Sequence, residues 1–126
     1  MSILDALEDW NPWWATGRVE EWMTGIERDE LKEVLSLMHL NKVKVITGVR
    51  RSGKSTLIYQ VISKLLERKE PNSIVLMNFD DARLATVDFE DIFNTYLEHQ
   101  KPSEINIFLD EVHNSKNWVS SVRKLI

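Results

Sequence analysis

Residues 48–55 read Gly-Val-Arg-Arg-Ser-Gly-Lys-Ser, a complete G-x-x-x-x-G-K-[ST] spacing. An apolar run, Val43-Lys44-Val45-Ile46-Thr47, leads into it, and an apolar-periodic run from Thr56 to Leu66 leads out. Strand, glycine-rich loop and helix in that order form a phosphate-binding loop, and they commit the chain to an α/β architecture. Gly48 and Gly53 permit the tight turn that a side chain would oppose. The backbone of Val49, Arg50, Arg51 and Ser52 would then aim successive N–H groups at one point, a nest for anions. A helix beginning near Lys54 adds the positive end of its dipole. Lys54 can reach the outer phosphates as a point charge, Ser55 offers a hydroxyl to Mg²⁺, and Thr56 can bond an inner phosphate. The expected ligand is a nucleoside triphosphate.

The chain has 126 residues, enough for one domain with a core. With 43% hydrophobic and 29% charged residues it reads as globular. A net charge of −4 gives no global attraction to nucleic acid or anionic lipid. Arg50-Arg51 is the densest basic spot, and it lies inside the phosphate loop. The absence of Cys removes disulfides, thiolate catalysis and thiolate metal sites together, and fits a reducing cytoplasm. The acidic N-terminus does not read as a signal peptide, and no apolar run approaches the roughly 18 residues a membrane helix needs.

Trp10, Trp13, Trp14 and Trp22 crowd the first part of the chain, around an Asn11-Pro12 turn. They would serve as an aromatic surface for a partner or an adenine ring, or pack the arm onto the domain; packing is the commoner use. Leu31, Val34, Leu35 and Met38 mark a helix over 27–40. Leu57, Ile58, Val61, Ile62, Leu65 and Leu66 form the stripe of a helix lying on a sheet, which Pro71 stops. Ser73 to Phe79 is almost continuously apolar, a strand covered on both faces. Asp80-Asp81 at its end is either a ligand site at the carboxyl edge of the sheet or a turn and helix cap. Residues 88–100 form a further helix.

A third strand, Ile105-Asn106-Ile107-Phe108-Leu109, runs into Asp110-Glu111. An apolar strand ending in Asp-Glu is weak evidence alone. Downstream of a phosphate loop, with one strand and two helices between, it gains weight as a Walker B pattern. Asp110 would support Mg²⁺, and Glu111 would polarise the attacking water. His113 and Asn114 follow in what reads as loop, and Trp118, Val119, Val122 and Leu125 begin another helix.

Taken together, Ile46 to Leu57, Ile107 to Val112, the later Trp118 and the Asn11-Pro12-Trp13-Trp14 arm resemble archaeal and bacterial AAA-type ATPases over most of residues 10–126. The resemblance implies ATP, Mg²⁺ and hydrolysis coupled to a conformational or partner change. Lys54 and Ser55 would hold triphosphate and metal, Asp110 the metal, and Glu111 would be the base. It also implies a sheet order 5-1-4-3-2. Because the sequence stops before a fourth strand, its polar sensor residue and an arginine finger, a gap is expected between the strands at 43–47 and 105–109, with unpaired backbone groups. Impaired hydrolysis and a missing C-terminal domain or partner chain are expected too.

The expected fold is thus a three-layer P-loop α/β domain, mostly parallel, with a Trp-rich arm and helix over 1–40 and a nucleotide-binding core over 41–126. The leading function is Mg²⁺-dependent ATP hydrolysis. A nucleotide-binding switch with little turnover is the alternative, and a phosphotransferase using Asp80-Asp81 for its acceptor is a third. No Asn-Lys-x-Asp segment selects guanine, and an oligomer is compatible with all three.

Overall fold

The computed structural model describes residues 2–19, 43–45, 54–111, 119–120 and 123; at 2, 43–45 and 54–56 the backbone alone is described. The expected helix at 27–40, Trp22, the loop residues 48–53 and residues 112–118, with His113, Asn114 and Trp118, lie outside these. In chain order the described elements are α1 (Ser2–Trp10), α2 (Trp13–Thr16), β1 (Val43–Val45), α3 (Lys54–Leu65), β2 (Ile74–Asn78), α4 (Ala82–Ala85), α5 (Phe89–Gln100) and β3 (Asn106–Asp110).

The strands form a parallel sheet in the order β1-β3-β2. β2 and β3 are buried along their whole length, as their unbroken apolar runs require. Alternation sorts their side chains. Val75, Met77, Ile107 and Leu109 join Ala6 and Leu7 of α1 and Phe89, Ile92 and Tyr96 of α5. Ile74, Leu76 and Phe108 join Ile58, Val61, Ile62 and Leu65 of α3 on the other face, with Trp13. Each fully buried Leu, Ile or Phe contributes about 1.5–3 kcal/mol, so these two clusters fix where α3 and α5 sit.

The expected gap beside β1 is corrected. β1 pairs directly with β3, Val43 opposite Ile107, Lys44 opposite Phe108 and Val45 opposite Leu109. Backbone groups left unpaired inside a sheet cost too much, and among the described residues closure of β1 on β3 satisfies them.

β2 is the edge strand at the other end. In a parallel ladder its even-numbered residues point their backbone groups away from β3, and the N-terminal arm occupies them. Asn11, 1% exposed, uses its carboxamide as a peptide group would. Its Oδ1 accepts from Leu76 N–H at 2.6 Å, and its Nδ2 donates to the carbonyls of Leu76 at 3.0 Å and Leu7 at 2.7 Å. The indoles of Trp13 and Trp14 donate to the Ile74 carbonyl at 3.0 and 2.9 Å. The arm's aromatics therefore pack and seal an edge, the commoner use; Trp14 also stacks on Tyr96. The helix break at Asn11-Pro12 is what brings the carboxamide to the strand.

Asp81 caps α4, a short helix the sequence reading did not anticipate. Its carboxylate accepts from Arg83 N–H at 2.9 Å. The Arg83 guanidinium binds both carboxylate oxygens and reaches Asp9, and the Trp10 indole donates to Asp81 at 2.8 Å. Hydrogen bonding from Arg83, chiefly, lowers the Asp81 pKa from 3.8 to about 2, against a smaller opposing effect of burial. A carboxyl group whose pKa falls on folding stabilises the fold above its unfolded value, and that support is lost as pH drops through the folded one. Between about pH 4 and pH 2, thermal melts of the parent should therefore lose stability more steeply than those of Asp81→Asn. Parallel curves would remove this network from the acid response.

Candidate functional site

Three chain segments meet at the carboxyl end of the sheet. β1 ends at Val45 beside Leu109, and β2 ends at Asn78 beside Asp110. α3 begins at Lys54, so Lys54, Ser55 and Thr56 form its first helical turn. Gly48, Val49, Arg50, Arg51, Ser52 and Gly53, predicted to cradle phosphate, fall outside the described residues.

Asp110 closes β3, one residue later than the sequence reading ended the strand. Phe108 lies on the α3 face of the sheet, and alternation puts Asp110 on that same face. The carboxylate is 3% exposed. Its nearness to α3 is felt at Tyr59, in the second turn of that helix. Burial, and after it the Asp110 charge, raise the pKa of the Tyr59 hydroxyl.

Glu111 is 7% exposed and has φ 54°, a left-handed backbone that is unfavourable for a residue with a Cβ. A buried carboxylate on a strained backbone is costly twice over, and such costs collect where a site requires them. Asn78, 8% exposed, is a further polar group at this edge; its Oδ1 accepts from Asp80 N–H at 2.9 Å. Sequence reasoning passed over Asn78, although a lone amide in an apolar strand was a signal. Tyr59 carried no such signal.

The edge thus brings together Asp110, Glu111 and Asn78 beside the start of α3. Oxygen donors of this kind suit a hard cation such as Mg²⁺. Asp81 is not available to an acceptor substrate, because Arg83 and Trp10 hold its carboxylate. Between the two readings of that residue, the cap is the one observed.

A sequence profile for the AAA domain matches residues 40–126, well over half of the chain. The chain belongs to the AAA domain family. AAA domains are P-loop α/β domains, nucleotide-binding and ATPase-like as a class. Among individual proteins, an uncharacterized protein of Methanocaldococcus jannaschii is 34% identical over 87 residues, covering 68% of this chain and 19% of the relative. An uncharacterized protein of Haemophilus influenzae is 28% identical over 99 residues, covering 75% of this chain and 25% of the relative. This AAA domain chain therefore spans a quarter or less of the length of these relatives. No solved structure matches it significantly. Among the described residues no helix is long and apolar enough to cross a membrane.

Proposed function

We propose that this AAA domain binds ATP with Mg²⁺ and hydrolyses it at the carboxyl edge of the sheet. The observation that carries the reading is the pair of buried carboxylates, Asp110 and Glu111, on the edge where β1 ends and α3 begins. In a P-loop domain that edge is where phosphates meet a helix N-terminus. Residues 48–56 would hold the triphosphate through backbone N–H groups, with Lys54 on its outer phosphates. Ser55 and Asp110 would hold the metal. When bound, Mg²⁺ would neutralise charge on the phosphate oxygens. Glu111 would accept the proton of the attacking water; burial beside Asp110 keeps bulk water from competing.

The same reading takes 41–126 as the core of a three-layer P-loop domain and 1–40 as its arm. It places the protein in the cytoplasm, and expects further chain or a partner to supply positive charge to the transition state.

Calorimetry of the chain with Mg·ATP, run beside phosphate release, tests the proposal. Glu111→Gln should bind ATP within about threefold of the parent while turnover falls by roughly 10²–10⁴-fold. Parent-like turnover in that variant would move the base elsewhere. Tight binding with no turnover in the parent would leave a nucleotide-controlled switch.

A further inference from the structure

We infer that Tyr59 is a positioning residue for Asp110, its hydroxyl holding that carboxylate in the orientation that takes up the metal. The inference rests on the Mg·ATP reading above and adds a residue to it. Three placements carry it. First, Tyr59 lies one helical turn after Ser55, so the two share a face of α3. Second, α3 packs through Ile58 and Ile62 on the sheet face that bears Leu76 and Phe108, and Tyr59 packs against this cluster, half-buried. Third, Asp110 follows Phe108 by two residues on β3, on that same face, and is almost fully buried. The metal hydroxyl, the phenol and the carboxylate thus fall along one seam between α3 and β3. The effect of the Asp110 charge on the Tyr59 hydroxyl agrees with this closeness.

The chemistry suits the place. A buried carboxylate is held by the donors around it. A lysine or arginine there would hold it, but its positive charge would oppose Mg²⁺ at the same oxygen. A phenol donates one O–H and stays neutral, so it can orient the carboxylate and leave its negative charge for the cation. Groups that orient a metal ligand in this way typically alter metal affinity by 10–100-fold when removed.

Tyr59→Phe removes the hydroxyl and keeps the ring in its packing. ATP binding should be followed by calorimetry across a Mg²⁺ titration, with binding in EDTA and the thermal midpoint measured on the same samples. The variant should need about tenfold more Mg²⁺ for half-maximal enhancement of ATP binding. Mg²⁺-free binding and the thermal midpoint should match the parent. In an Asp110→Asn background the same substitution should produce no further shift, since the two residues act as one unit. An unchanged Mg²⁺ midpoint in a parent that does respond to Mg²⁺ overturns the inference and leaves the ATP reading standing. A lower thermal midpoint with an unchanged Mg²⁺ midpoint also overturns it, making Tyr59 a packing residue. If the parent binds Mg·ATP no better than Lys54→Ala does, both fall.

Discussion

Lys54→Ala binds ATP at least about 100-fold more weakly than the parent. Hydrogen bonds to charged groups contribute about 1.5–3 kcal/mol each, and roughly 3 kcal/mol corresponds to more than a hundredfold in affinity. A lysine on a triphosphate sits at or above the upper end, because the site concentrates negative charge that the backbone amides offset only in part. Lys54 opens α3, and the buried residues of that helix begin only at Leu57. Loss of the ammonium therefore leaves the packing of α3 on Leu76 and Phe108 intact, and the thermal midpoint should stay within a degree or two. Calorimetric titration with ATP in the presence and absence of Mg²⁺ measures the effect directly. An affinity equal to the parent's would remove residues 48–55 from the site altogether.

The second large effect is far from the nucleotide. Asn11→Ala should destabilise the domain by about 3–5 kcal/mol, because it strips partners from two buried backbone groups of Leu76, and each such loss costs roughly 1–3 kcal/mol. Asn11→Asp should be at least as damaging. It keeps an acceptor for the Leu76 N–H but loses both donated bonds, and it sets a carboxylate against the carbonyls of Leu7 and Leu76. Urea denaturation gives the measurement, with an unchanged slope and a lowered midpoint expected. Both variants should also aggregate more readily, since an uncovered parallel edge is a template for other strands. A midpoint shift worth less than about 1 kcal/mol in both would refute the account of Asn11 as the seal of the edge.

Much of this molecule is legible from local pattern. The stripes at Leu57–Leu65 and Phe89–Tyr96 and the continuous runs at 74–78 and 106–109 appear in the structure within a residue or two of where periodicity puts them. Asp110 and Glu111 were legible because an apolar strand that ends in two acids is visible without knowing its neighbours. The features that escaped are those set by neighbours. Periodicity could not show that β1 would lie against β3, because strand order depends on which backbone groups find partners in space. Nor could it assign Asp81, whose role is decided by Trp10 and Arg83, one of them 71 positions away. Asn11 looked like half of a turn, and it is one; its second role needs the edge of β2 beside it. Tyr59 matters only once α3 is laid on the sheet.

The way the arm is anchored also has a consequence for synthesis. Trp13 finds the Ile74 carbonyl across 61 positions, and Asn11 finds Leu76 across 65. At about 5–20 residues per second, the arm leaves the ribosome roughly 3–12 s before the strand it will cover exists. Through that interval its tryptophans have no sheet to rest on, and the loop that must close is long, which slows the final docking. The first segment made is thus among the last to be placed. The nascent chain passes through a stage in which an apolar arm waits exposed, and there a chaperone would find most to hold.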